Sequence, residues 1–359
     1  MHPIHRRGLI AGGFALLAAP RALAQHDQHG PLYERLNQPG RVGIPEVAAT
    51  QHVFDSPAPK AASQGRWVAR QPLPLPRSEM AWATAVGGQM HIVGGYGEQR
   101  VDRPYHHVYD PASDKWTVAE PIPRGANHVG VATLGDRLYA IGGFLGQNHT
   151  PHGECFVFGA GGAKWSTIAP LPRPCGAMAC VGFEGKIHAI GGAIGEGFEK
   201  RRSIDWHWVY DPASNSWSER APLPTSRDHT GIVAAGDRIH VIGGRVDTFF
   251  TNSNFHHTYE TKEDRWRLRN PLPTARSGHG SVVLRGRIFC MGGEGANRVF
   301  GQNEAYDIAA DKWESYAPMA TPRHGLGAVA IGDWIYVAGG GPVMGGGVQS
   351  AVHEAFTLG

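Results

Sequence analysis

Six Gly-Gly doublets, at Gly94-Gly95, Gly142-Gly143, Gly191-Gly192, Gly243-Gly244, Gly292-Gly293 and Gly339-Gly340, return every 47 to 52 residues. Each is preceded, 26 or 27 residues earlier, by a tryptophan: Trp67, Trp116, Trp165, Trp217, Trp266 and Trp313. A period near 50 residues with these two marks in every unit predicts an all-β fold, a β-propeller with one small sheet per repeat. The 50 glycines and 26 prolines among 359 residues are spaced between apolar runs, which favours many short strands over a disordered tract. One globular domain is expected over residues 65–359.

The second full unit shows how a repeat is read. Val129 to Leu134 alternates as strand a, Gly135-Asp136 makes a hairpin turn, and Arg137 to Gly143 forms strand b. A variable loop from Phe144 to Gly153 leads to strand c at Glu154 to Phe158. Trp165 then opens strand d, and Pro170-Leu171-Pro172 carries the chain inward to the next unit, where proline ends an edge strand without losing a ladder bond.

Strand b ending in Gly-Gly, strand c ending in an aromatic (Tyr109, Phe158, Tyr210, Tyr259, Tyr306, Phe356) and a following tryptophan together resemble kelch repeats over residues 65 to 358. The resemblance implies a six-bladed kelch β-propeller with four antiparallel strands per blade. Trp67 has no strands a to c before it, and the last unit has no tryptophan after Phe356. The N-terminal strand is therefore expected to complete the C-terminal blade and close the ring.

Residues 1–24 read as an export signal: Arg6-Arg7, an apolar run from Gly8 to Ala19, then Ala22-Leu23-Ala24 before the cleavage point. Arg6-Arg7 with Leu9 and Ile10 resembles a twin-arginine signal, although His5 departs from it and leaves Sec export open. The expected location is periplasmic or secreted. Residues 25–64 read as an irregular arm, with His26 and His29 near the new terminus. Removing the signal takes away three of 34 basic residues and none of 31 acidic ones, so 31 face 31. A near-neutral protein argues against nucleic acid as partner, and no other apolar run is long enough to span a membrane. Cys155, Cys175, Cys180 and Cys290 show no metal-ribbon spacing, and export would permit one disulfide or leave buried thiols.

What recurs in every blade at one register serves the blade, and what varies is the candidate for function. On strand directions, the b-to-c loops and d-to-a connections share one end of the ring. Each connection carries an arginine, Arg77, Arg124, Arg173, Arg227, Arg276 and Arg323, either bonding loop carbonyls or forming a cationic ring for a carboxylate or phosphate. The residues after them vary: Glu79, Asn127, His128, Cys175, Asp228, His229, His279 and His324 are expected to crowd the channel mouth as a ligand site or a polar lining. Of these, His128, Cys175, His229, His279 and His324 are candidate metal ligands, and Glu79, His128, Asp228 and His229 candidate acids and bases. His106, Cys155, His207, His256, Asn303 and His353 recur three residues before each strand c aromatic and are expected between blades, bonded to backbone. Arg103, Arg202 and Trp206 on the b-to-c loops suit a sugar or polar peptide.

The leading expectation is a monomeric propeller that binds a small polar ligand, a carbohydrate or organic acid, or an exported protein partner. The alternative is a kelch enzyme acting on sugars, distantly similar to galactose oxidase or to sialic acid mutarotase. No cofactor is required, and copper or another transition metal stays open. The only Tyr-His pair, Tyr105-His106, sits on strand c and not on an inner strand.

Overall fold

The computed structural model describes residues 62–79, 83–98, 101–159, 162–248 and 250–359. The expected export signal, most of the arm, and His26 with His29 lie outside these residues. Six four-stranded antiparallel sheets are present, and their inner strands touch in sequence, the first meeting the last. Strands a to d of the first blade are Thr84–Val86, Gln89–Val93, His106–Asp110 and Lys115–Ala119. The sixth blade takes Gly327–Ile331, Trp334–Ala338 and His353–Thr357 from the C-terminus and its outer strand, Arg66–Ala69, from the N-terminal side. Trp67 stands opposite Phe356 in that ladder, so the ring closes as the repeat phase predicts.

The tryptophans hold blades together through a bond that recurs at every interface. Each indole Nε1 donates to a backbone carbonyl of the preceding blade: Trp67 to Ala317, Trp116 to Gln71, Trp165 to Glu120, Trp217 to Ala169, Trp266 to Ala221 and Trp313 to Asn270, at 2.8 to 2.9 Å. The same rings pack on the strand c aromatic directly opposite, for example Tyr109 on Trp116 at 5.1 Å. This gives a partly wet indole both its apolar contact and its hydrogen bond.

The Gly-Gly doublets have an equally local cause. In every blade the second glycine N–H donates across to the next connection: Gly95 to Ala126, Gly143 to Cys175, Gly192 to Arg227, Gly244 to Arg276, Gly293 to Arg323 and Gly340 to Arg77. Gly191 has φ 64°, and a Cβ there would lie 2.5 Å from the Arg227 carbonyl oxygen. Only glycine permits both the backbone angle and the approach.

The second blade departs from the sequence reading. Its strands b and c are longer than expected, Arg137–Leu145 and Thr150–Gly159, and the ladder continues beyond a shift at Ile141/Gly143 through most of the anticipated loop. The third and fifth blades carry the same extension as separate ribbons, Ala193–Ile194 with Arg202–Ser203 and Glu294–Gly295 with Arg298–Val299. The inner strands enclose a channel of about 350 Å³, lined by small residues such as Ala85, Ala132, Gly182, Ala234 and Ala330 together with Thr84, Thr133 and Ser281. Among the described residues no helix is long and apolar enough to cross a membrane.

Candidate functional site

The doublet bonds fix a register that the arginine count blurred. The residues accepting them are Arg77, Ala126, Cys175, Arg227, Arg276 and Arg323. Arg124 and Arg173 therefore sit two residues too early, and the six arginines are not equivalent. The four in register are fully buried. Arg77 and Arg227 each donate to two loop carbonyls and to His107 or His257. Arg276 and Arg323 instead pair with Glu304 and Glu354 at 2.6 and 2.8 Å. In the other two blades the matching strand c residues are Phe156 and Trp208, which offer a guanidinium no hydrogen-bond acceptor. There the arginine is on the surface: Arg124 pairs with Glu154, and Arg173 lies 5.2 Å from the Trp206 ring. Four of the six arginines are consumed by the blades, so no cationic ring surrounds the mouth.

Two residues after each acceptor the backbone turns left-handed, at Glu79, His128, Ala177, His229, Gly278 and Gly325, with φ between 48° and 63°. These positions are stitched around the axis: His128 N donates to Glu79 O, Ala177 N to His128 O, Gly278 N to His229 O and Gly325 N to Gly278 O. For Glu79, His128 and His229 this conformation costs about 1 to 3 kcal/mol each. It aims three titratable side chains at one point, while Ala177, Gly278 and Gly325 leave room for them.

Between each acceptor and its left-handed residue lies a position that forms a β-bridge with the residue following the doublet: Ser78 with Tyr96, Asn127 with Phe144, Gly176 with Ala193, Asp228 with Arg245, Ser277 with Glu294 and His324 with Gly341. The three layers together build a buried charged cluster. His324 Nε2 lies 2.8 Å from Glu79 and 3.3 Å from Glu294. His128 Nε2 is 3.1 Å from Glu79 Oε2, and His229 Nε2 is 3.9 Å from the same oxygen. Arg245 donates to Asp228 and Glu294, both at 2.9 Å, and to His229 Nε2 at 3.1 Å. Arg201, buried and 3.7 Å from Asp228, adds a second guanidinium. Three carboxylates thus face two guanidiniums and the His324 imidazolium.

The electrostatics follow from this packing. Burial disfavours the Glu79 carboxylate, but His128 and His324 outweigh it and hold its pKa well below the usual range. Burial likewise opposes a charge on His324, yet Glu294 and Glu79 raise it to about 9. Burial and then Arg245 push His229 down to about 3, so it is neutral. For Asp228, burial is overcome by Arg245 and Arg201, and it stays ionised far into acid.

Above the cluster is a cavity of about 170 Å³ with Glu79, Tyr96, His128, Arg245, Glu294 and Met344 in its wall. The sequence reading brought Glu79, His128, Asp228, His229 and His324 to the axis, with Asn127 bonded to His128 Nδ1. It placed two others wrongly. Cys175 occupies the buried-arginine register, its thiol in an apolar core with its pKa raised by burial. His279 lies one position beyond the left-handed residue and turns into the blade, bonding the Ile242 and Gly280 carbonyls. Neither can join a metal set at the axis. All four cysteines are free and buried. Arg103 lines a second pocket of about 400 Å³, and Arg202 donates to the Arg201 carbonyl. Arg245 and Glu294 were missed, although they are the only charged residues directly following a doublet.

The recurrent strand c histidines do lie between blades. His106, His207 and His353 bond backbone carbonyls, and His106, His207 and His256 also pair with His91, His188 and His240 at 2.8 to 2.9 Å.

Residues 130–341, more than half of the chain, match the KLHDC2/KLHL20/DRC7 Kelch-repeats domain. The chain belongs to the kelch-repeat family. No curated protein matches it closely enough to lend it an activity. The kelch propeller is compatible with ligand or protein binding, and its site must speak for itself.

Proposed function

We propose that this protein is an exported kelch propeller that binds one small polar ligand, an organic acid or a single sugar, in the cavity over the axis. The observation that carries this reading is the convergence of Glu79, His128, Arg245 and Glu294 from four blades onto one cavity wall. Its volume of about 170 Å³ is well below the roughly 300 to 1,000 Å³ of drug-sized sites, which favours a ligand of few atoms over an oligosaccharide or peptide. Tyr96 and Gln147 add a hydroxyl and an amide suited to reading ligand oxygens. The test is a thermal-shift screen of sugars and sugar acids on chelator-treated protein, repeated with Tyr96→Phe and Gln147→Ala. A compound that stabilises the wild type and loses its effect in these variants supports the reading. Equal shifts in all three proteins, or none in the wild type, overturn it.

Two further readings have specific support. The Glu79–His128 contact at 3.1 Å, with both residues in the cavity wall and His229 behind Glu79, is an acid–base arrangement suited to epimerase-like chemistry on the bound sugar. His128→Ala/His229→Ala protein retaining full turnover would exclude that role. A protein partner is favoured by exposed Leu75, Val101, Val343 and Val348, of which Leu75 and Val348 line the second pocket.

A further inference from the structure

The two histidines at left-handed positions are built alike. Asn127 uses both donors of its amide nitrogen, to Asp102 at 2.7 Å and to the Phe144 carbonyl at 3.1 Å. Its oxygen is left to accept from His128 Nδ1, at 2.5 Å. One blade-pair away, Asp228 accepts from His229 Nδ1, also at 2.5 Å. In both rings Nδ1 is bonded to the preceding residue, so the two Nε2 atoms are the ones turned inward. They point at the same atom, Glu79 Oε2, from 3.1 and 3.9 Å, and one ligand atom from each residue falls within 4.8 Å of the others. The 3.1 Å contact of His128 Nε2 with the Glu79 carboxylate is bridged by a proton, a place that a cation can take.

We propose that Glu79, His128 and His229 form a two-histidine, one-carboxylate site for a divalent transition cation, with its remaining coordination positions facing the cavity. Ligands 2.0 to 2.1 Å from one ion at 90° to 109° stand roughly 2.9 to 3.4 Å apart. The His128–Glu79 spacing of 3.1 Å already meets this, and His229 Nε2, 3.9 Å from Glu79, has to move inward. Two imidazoles with one carboxylate suit zinc, iron(II) or cobalt(II) and poorly suit calcium or magnesium, which prefer oxygen. The Nδ1 partners, Asn127 and Asp228, supply the outer support that fixes the tautomer of metal-bound imidazoles. In the metal-free arrangement Arg245 donates to His229 Nε2. On binding, the cation takes that lone pair, and Arg245 keeps its bonds to Asp228 and Glu294. The divalent cation displaces the one proton shared by His128 and Glu79, so one proton is released per ion and the site gains a single positive charge. The site shares the floor of the ligand cavity but does not depend on the ligand reading.

The experiment uses untagged, chelator-stripped full-length protein carrying His26→Ala and His29→Ala, so that the arm contributes no imidazole. Cobalt(II) is titrated and followed by its visible bands, and zinc(II) by calorimetry in two buffers of different ionisation enthalpy. One ion per chain with net proton release is expected. Affinity should fall at least 100-fold in His128→Gln and in His229→Gln, and about 10- to 100-fold in Asn127→Ala. It should change less than about fivefold in His279→Gln, whose ring faces the Ile242 and Gly280 carbonyls and not the axis. Weak binding that is equal in wild type and both triad variants overturns the proposal. So does loss of binding in His324→Gln alone, which would move the ion to Glu79, Glu294 and His324. If the triad variants do not fold, X-ray absorption of the wild-type complex decides: two imidazoles support the site, and one or none refutes it. Because the ligand screen is run on stripped protein, failure here leaves that result standing, and the reverse holds too.

Discussion

The Glu79–His324–Glu294 contact should control how stability varies above neutrality. His324 is fully buried, and its pKa rises from 6.5 in the unfolded chain to about 9 in the fold. Its contribution is therefore whole below pH 6.5 and drains away as pH climbs toward 9. A displacement of this size amounts to about 3 kcal/mol in full, and about 1.5 kcal/mol of it is lost between pH 6.5 and 8. That corresponds to a fall in Tm of about 2 to 3 °C for a ring of this size. The interblade histidines act with the opposite sign. His188, His240 and His353 are lowered by burial to about 4, so their share is lost as pH falls below 6.5. A stability maximum near pH 6.5 follows. Substituting His324→Gln deletes the titrating group and leaves Glu79 and Glu294 without their cation, costing about 3 to 5 kcal/mol at pH 6.5. The decisive reading is the slope, not the level. Urea unfolding at pH 6.5, 7.25 and 8 should show a decline in the wild type and a nearly flat profile in His324→Gln. An unchanged decline in the variant would refute the assignment of that titration to the axis.

Deleting residues 65–72 removes the outer strand of the sixth blade and the Trp67 bond to Ala317, and should lower Tm by at least about 10 °C; an unchanged calorimetric transition would reject this closure. Arg276→Met leaves buried Glu304 unpaired and should cost about 3 to 5 kcal/mol. Arg124→Met breaks only an exposed pair and should cost at most about 1 kcal/mol. Equal losses in denaturant unfolding would contradict the split among the arginines. Gly325→Ala forces alanine to φ 56° and places a Cβ 2.7 Å from Glu79 Oε2. It should cost about 1 to 3 kcal/mol and abolish any ligand-dependent thermal shift, and wild-type behaviour in both assays would contradict the crowded axis.

The fold was legible because its determinants repeat. A tryptophan that must find a carbonyl on the neighbouring blade, and a glycine pair that must let a connection pass within 2.5 Å, allow almost no substitution. The site was harder because its parts occur once. Glu79, His128 and His229 were found because they break a repeated pattern on the innermost connection. The arginines misled because Arg124 and Arg173 imitate the others two residues out of phase. Counting back 16 or 17 residues from each doublet recovers Ala126 and Cys175 instead. Arg245 and Glu294 look like ordinary loop residues until the six positions after the doublets are compared. Their pairing across blades, Arg245 to Glu294 at 2.9 Å, depends on ring geometry that no single repeat contains.

The stitched ring at the axis also bears on how the molecule is made. Glu79 belongs to the first blade and His324 to the last, and they meet only in a closed ring. At about 5 to 20 residues per second, synthesis leaves the carboxylate without that imidazolium for roughly 10 to 50 s. A ring that closed one blade early would bury Glu79 without His324, at a penalty of several kcal/mol. The cluster therefore counts blades: it rewards six and penalises five. A chain truncated after residue 319 should accordingly fail to give a protease-resistant ring.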